Sequence, residues 1–404
     1  MYTTVIKLLM YILVVGIIFL IVLFLFSENI LIGKPLIFSE KTLLMLTWNS
    51  YKTSYVEASS GRVVDVQRGN ITTSEGISYT MLRAVWTDDK ETFDKTFSWA
   101  EQNLKRNDGL FSWLYGASTG ANLQGIITSQ GGQNNASDAD TNIALALLFA
   151  ANRWGDPTYK TKALSLLRSI WDNDVVYVSG IPYLAADNLE KVSTTGVIIN
   201  PSYLEPYAYR IFSTLDKTHE WTSLVDSSYS ILNKATASPL DKNTSAKLPP
   251  DWITLSKLTG EIIPNQTQNI STNFSFDALR VPWNIALDYE WFGDPRAKKY
   301  LDSLETLTTF WNKDKKIYTN YSHSGETTST AEAPAIYGGI MGYFMWSDPV
   351  SAKEVYARKL VPLYNQDINN WTVPLSYYDD NWVWFGIALY NHTLPNLANS
   401  TTRI

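Results

Sequence analysis

Apolar positions recur at helical spacing along most of this chain, and strand-like alternation never runs long enough for a large sheet. In ITTSEGISYTMLRAVW, residues 71–86, Ile77, Met81 and Val85 join Tyr79, Leu82 and Trp86 to make a helix apolar nearly all round. Ser74 reads as its cap and Gly76 keeps the first turn uncrowded. Similar patterns predict helices near 47–56, 75–87, 90–105, 138–154, 158–172, 202–215, 219–234, 278–291, 295–311, 332–346, 351–364 and 380–391. Breaks fall at turn signals such as NDG, NPS and two copies of GDP. One hairpin is expected at GRVVDVQRGN, and 236–274 reads as a long loop, a type of segment that often lines sites. The simplest architecture is a single all-α domain of paired helices.

The N-terminus differs. Residues 8–26, LLMYILVVGIIFLIVLFLF, form an uncharged apolar run, which at ~1.5 Å per residue comes within reach of a ~30 Å hydrocarbon core. The following SENILIGK offers no small-residue cleavage site, so the run reads as an uncleaved transmembrane helix. Lys7 before it and Glu28 after it favour a cytoplasmic N-terminus with the bulk of the chain extracellular. The expected organisation is an anchor over 1–27, a stalk over 28–42 and one domain over 43–404. Ten N-x-S/T sequons, beginning at Asn70, Asn135, Asn243, Asn265, Asn269, Asn273, Asn320, Asn370, Asn391 and Asn399, permit a glycosylated surface.

Composition removes several chemistries. The chain has no cysteine, which excludes disulfides, thiolate zinc sites and a cysteine nucleophile. His219, His323 and His392 are scattered without ligand spacing, so no metal and no cofactor are expected. A net charge of −6 gives no reason to expect nucleic acid. The 15 Trp and 24 Tyr supply a core, and their flat faces also suit stacking on pyranose rings. GASTG at 116–120 fits G-x-S-x-G in letters, but it lacks the strand–turn–helix context and a nearby histidine, and reads as a loop.

Acids open three of the apolar helices. Glu75 leads the first, Asp138 and Asp140 lead ASDADTNIALALLFAANRW, and Asp277 precedes Arg280 in NFSFDALRVPWNIALDYEW. Each is compatible with capping or a local ion pair. If alternate helices run the same way, however, the three starts gather carboxylates at one end of an all-helical barrel. Convergent carboxylates without a metal or a nucleophile point to glycoside hydrolysis, with one group as acid and another as base.

At these segments the sequence resembles glycoside hydrolase family 8. The resemblance spans about residues 47–392 and runs through TSEGISYTMLRAVW, the DGLFSW turn, ASDADTNIALALLFAANRW, NPSYLEPYAYRIF, FDALRVPW and DDNWVWFGIALY. It implies an (α/α)6 barrel of six helical hairpins and an inverting endo-acting enzyme on β-1,4-linked polysaccharide, with glucan preferred and chitosan or xylan as alternatives. By matching position, Glu75 would be the general acid and Asp277 the general base. Asp138 matches a residue described either as the second catalytic carboxylate or as the clamp on a distorted −1 sugar, and the clamp role is preferred. Tyr203 would help place the water, Arg280 would support the base, Trp113 would be a stacking platform, and Asp140 is counted with the substrate-binding residues. Ile77 and Thr80 stand where the family often has Gln and Gly, which bears on substrate preference. The rival from another class is a non-catalytic glycan-binding surface protein. A monomer is expected, and the anchor suggests a neighbouring glycan synthase whose product the enzyme trims.

Overall fold

The computed structural model describes Gly16 and residues 39–117, 124–263, 265 and 270–398. Among these residues the chain forms thirteen α-helices that alternate between an outer and an inner ring. In chain order the outer–inner pairs begin with α1 (Glu40–Tyr55) and α2 (Ser74–Trp86), then α3 (Lys90–Asn103) and α4 (Ser137–Trp154). They continue with α5 (Pro157–Asp174) and α6 (Pro206–Leu215), then α7 (Trp221–Ala237) and α8 (Arg280–Phe292). The ring closes with α9 (Pro295–Asp302) plus α10 (Thr306–Asp314) outside α11 (Pro334–Ser347), and α12 (Pro349–Val355) outside α13 (Tyr377–Tyr390). This is the expected barrel of six helical hairpins.

The inner helices are the segments that are apolar on all sides, because each packs on two neighbours and an outer helix. Glycines set the closest contacts. A Cβ on Gly338 of α11 would lie 2.0 Å from Trp382 O of α13, and one on Gly342 would lie 2.2 Å from Pro282 O of α8. Any side chain there forces helices apart. The ring joins its ends where Tyr79 of α2 meets Trp382 and Phe385 of α13, at ring-centroid distances of 5.8 and 5.4 Å.

The two poles of the barrel differ. Inner-to-outer turns are short, and two of them are the GDP signals. Gly155 and Gly293 adopt φ of 69° and 64°, where a side chain would be strained. Asp156 and Asp294 then cap α5 and α9 by accepting from Thr158 N and Arg296 N, and proline takes the first helical position. Outer-to-inner connections are long and carry small antiparallel sheets of two or three strands. One sheet joins β1 (Thr72–Thr73), β2 (Leu114–Ala117) and β3 (Gln124–Ile126). The hairpin β4 (Val175–Val178) and β5 (Ile181–Leu184) follows, then a sheet of β6 (Gly196–Ile199), β7 (Ile253–Ser256) and β8 (Ile262–Ile263). Every inner helix therefore starts at the loop-rich pole.

Several boundaries depart from expectation. Helix α1 begins at Glu40, inside the expected stalk, with Ser39 Oγ accepting from Thr42 N at 3.3 Å. Leu43, Leu44, Trp48, Tyr51 and Tyr55 give it a buried face against α13. The helix expected over 295–311 breaks into α9 and α10. GRVVDVQRGN forms isolated bridges, Val56 to Val63 and Asp65 to Ile71, in place of a hairpin. The long loop over 236–274 contains β7, which pairs with β6, and β8, which pairs with β7. The anchor and the remainder of the stalk lie outside the described residues apart from Gly16, as do residues 118–120 of GASTG. Among the described residues no helix is long and apolar enough to cross a membrane.

Candidate active site

Glu75 stands in the first turn of α2 at the loop-rich pole. Thr73, not Ser74, is the cap: its backbone is extended and its Oγ1 accepts from Gly76 N at 3.1 Å. Pairing of β1 with β2 fixes this register, so that Ser74 N donates to Trp113 O at 3.0 Å and Ser74 is fully buried. Capping is thus complete without Glu75. Its side chain stays 26% exposed, and among the described residues its ion-pair contact is with Arg280, whose Nη1 lies 3.4 Å from Oε2. Burial raises its pKa to about 7; Arg280 opposes that rise, and the charges of Asp138 and Asp277 add to it.

Asp138 and Asp140 separate completely. Residues two apart on a helix face different sides. Asp138 points toward the barrel axis, where Oδ2 accepts from Arg280 Nη1 at 2.8 Å and Oδ1 from Ala139 N at 2.8 Å. Burial raises its pKa despite the arginine. Asp140 points away from the cleft and is fully buried, accepting from Phe111 N at 3.1 Å and Asn135 Nδ2 at 2.9 Å. Burial pushes its pKa up to about 8. Asp140 is therefore a tie between α4 and the loop before it, which corrects its expected place among substrate-binding residues. Asn135 is also buried, and its amide donates to Asp174 as well, so this sequon is closed to modification in the folded chain. The sequon asparagines Asn70, Asn243 and Asn370 are exposed.

Asp277 lies in the turn before α8, not in the helix itself. Arg280, 3% exposed, donates through Nη2 to Asp277 Oδ1 at 2.5 Å. Trp252 Nε1 donates to the other oxygen at 3.0 Å. Donors on both oxygens give Asp277 the pattern of a carboxylate. Arg280 Nη1 also reaches Tyr79 Oη at 3.2 Å. One guanidinium thus contacts three carboxylates from three helix starts, and Tyr203 lies beneath it with its ring centroid 5.2 Å from Cζ.

Tyr203 sits in the short turn Pro201–Tyr203 and meets the Trp252 ring edge-on at 5.8 Å. Trp113 is half-buried beside the start of α2, its indole nitrogen donating to Gly131 O at 2.9 Å. Three residues of the site escaped the sequence reading. Tyr79 follows Glu75 by one helical turn, a spacing that could have flagged it. Asp251 and Trp252 lie inside the long loop singled out above. Deeper still, Asp138, Asn142, Glu205 and Arg280 line a cavity with room for about one water molecule. Glu205 Oε1 accepts from Asn142 Nδ2 at 2.6 Å, and burial, followed by the charge of Asp138, pushes its pKa well up. Among the described residues no group of three or more acidic or histidine side chains is placed to hold a metal ion. One guanidinium thus holds a half-buried carboxyl whose pKa burial raises to about 7 beside a second carboxyl bonded through both oxygens, a pairing suited to acid–base chemistry.

Comparison with known proteins agrees with this geometry. The model of glycosyl hydrolases family 8 matches residues 10–363. Endoglucanase 2 of Ruminiclostridium josui is 28% identical over 334 residues, covering 79% of this chain and 65% of that protein. An endoglucanase of Escherichia coli K12 is 28% identical over 277 residues, covering 66% and 68%. The chain spans 63–65% of the length of three such clostridial-type relatives. In fold it is similar to an endo-1,4-D-glucanase from Vibrio fischeri ES114, with a TM-score of 0.72 at 24% identity over 85% of this chain and 94% of that one. The endo-beta-1,4-glucanase CMCax from Acetobacter xylinum gives 0.69 at 22% identity over 88% and 99%. With the family model covering most of its length and three helix starts converging on one arginine, the chain belongs to glycosyl hydrolases family 8.

Proposed function

We propose that this protein hydrolyses internal β-1,4 bonds of a glucan with inversion. The observation that carries the reading is the unequal treatment of two carboxyls by Arg280. Glu75 has one long contact with it and a pKa near 7, so it holds a proton to give to the glycosidic oxygen. Asp277 is bonded through both oxygens and faces the cleft, suited to take a proton from water as that water attacks the anomeric carbon. Bridging by one guanidinium keeps the two groups near enough to admit the ~6.5–9.5 Å separation of inverting enzymes. The acid loses its proton to the leaving sugar, the base gains one from water, and solvent exchange resets both. Asp138 sits at the cleft floor as the −1 sugar clamp, Tyr203 beside the base helps place the water, and Trp113 is a stacking platform. The endoglucanase names of the relatives support glucan as the substrate.

The apolar run over 8–26 supports a membrane tether with the barrel outside the cell. A tethered enzyme fits a polymer leaving the same cell, and a neighbouring glycan synthase would accord with that.

The test is incubation of residues 39–404 with cellohexaose, xylohexaose and chitosan hexamer, following anomers by proton NMR. Initial α-anomers from cellohexaose are expected. Cleavage of only the xylan or chitosan oligomer would move the substrate, β-anomers would refute inversion, and inertness of a folded sample would favour a glycan-binding role.

A further inference from the structure

We propose that Asp251 is a positioning residue for the base, locking the backbone turn that aims Asp277 at the cleft. This inference rests on the acid–base reading above.

The turn over 275–278 precedes α8 and has backbone N–H groups with no helical partner. A carboxyl from more than twenty residues upstream supplies the partner. Asp251 Oδ1 accepts from Ser275 N at 3.1 Å, Asp277 N at 3.2 Å and Ala278 N at 2.8 Å. Its Oδ2 pairs with the Ser275 hydroxyl. Asp251 N donates to Asn273 O at 2.7 Å, so backbone and side chain both hold the turn. Next in sequence, Trp252 donates to the Asp277 carboxylate itself. The dipeptide therefore fixes the base twice, Asp251 through its main chain and Trp252 through its side chain. The remaining control on Asp277 is Arg280, which starts α8 and moves with the same turn.

One oxygen takes all three N–H donors, and the other accepts from the serine hydroxyl. Asp251 is 4% exposed, and burial, then the charge of Asp277, raise its pKa to about 7. Asparagine keeps the N–H bonds: its oxygen accepts the same three, and its amide donates to the Ser275 hydroxyl once that hydroxyl turns. Alanine leaves all three N–H groups without this partner, the buried one of Ala278 among them, and frees the turn.

The experiment compares Asp251→Ala, Asp251→Asn and Ser275→Ala with the wild type, on cellohexaose and in crystals. Asp251→Ala is expected to lose about 10²-fold in kcat, the scale of an ångström-sized misplacement, with KM little changed. Asp251→Asn should restore most of that loss, and Ser275→Ala should lose less than Asp251→Ala. In the crystal of Asp251→Ala, Asp277 should leave Trp252 and Arg280, a readout that stands even if the wild type cleaves none of the oligomers. A folded Asp251→Ala with wild-type kcat, an asparagine variant as impaired as alanine, or an unmoved Asp277 would overturn the proposal. If Asp251→Ala fails to fold, Ser275→Ala carries the test: a displaced turn with reduced kcat supports it, and an unmoved turn with full kcat overturns it.

Discussion

Two buried arginines in this barrel make different use of the same guanidinium. Arg83 of α2 is fully buried in the wall. It has one carboxylate partner, Asp380 at 3.0 Å, with Asn381 beside it and the rings of Tyr51, Trp384 and Trp48 centred 4.2, 5.0 and 5.2 Å from Cζ. Burial lowers its pKa, and Asp380 resists that. Arg280 is as well buried but faces three carboxylates. Burial would lower its pKa too, but the tyrosines and acids around it raise it well above the ordinary value. In the wall one positive charge meets one negative charge, and the result is a balanced tie between α2 and α13. At the cleft one positive charge meets three acids, and the most weakly bonded of them, Glu75, has its pKa raised by burial first and by the neighbouring acids after it. The paired charges of the wall tie two helices, and the unequal charges of the cleft leave one acid with a raised pKa.

The sharpest way to break this contrast is to remove the unbalanced acids. Glu75→Gln and Asp277→Asn should each cut kcat by about 10²–10⁴-fold, with circular dichroism unchanged. A Glu75→Gln enzyme that retains wild-type kcat would sink the acid assignment. Exchanging the arginines tests the two roles directly. Arg83→Met leaves Asp380 buried without its cation and should cost about 3–5 kcal/mol in urea unfolding, with normal kcat in the folded fraction. Adding Asp380→Leu should recover part of that loss. Arg280→Met should do the reverse: activity is lost, while Glu75 and Asp138, whose pKa values are already raised, take up protons and spare the fold.

The pH dependence sharpens the same point. As the proposed general acid, Glu75 acts in its protonated form, so kcat/KM should fall about tenfold per pH unit above its pKa of about 7. Its folded pKa lies above the ordinary 4.5. The stability contributed by its protonated form is therefore complete below pH 4.5 and is lost as pH rises toward 7. Glu75→Gln should remove that part of the slope in a melting-temperature series. A smaller effect is expected from Tyr79→Phe, which deletes one bond to Arg280 worth about 0.5–1.5 kcal/mol, seen as a few-fold drop in kcat. The smallest effect on rate should come from Asp140→Asn, whose kcat stays near wild type. Because burial raises the Asp140 pKa to about 8, the wild type should lose stability as pH rises from about 4 through 8, and the variant should lose less.

Much of the site was legible before folding, for local reasons. An acid ahead of a run of apolar residues marks a helix start in any fold, so Glu75, Asp138 and Asp277 stood out as candidates. The buried stripe Leu43, Leu44, Trp48, Tyr51 and Tyr55 was equally local, and an earlier start for α1 could have been read from it. Asp251 was hidden because its partners lie more than twenty residues away and its own neighbours carry no periodic signal. The cap of α2 was misassigned by one residue because strand pairing with β2, a tertiary contact, sets which residue remains extended.

The sequence by itself located twelve helical stretches, one of which the fold breaks in two, together with the two GDP turns and the acids at or just before three helix starts, since each of these depends on residues within one or two turns. Its letters also required Asp138 and Asp140 to face opposite ways, because two residues on a helix span more than half a turn. Only the tertiary structure decided which of the two faces the cleft. It also decided that Arg280 gathers three acids while Arg83 gathers one. Those outcomes depend on which helices stand side by side, and that is set by packing between segments far apart in the chain.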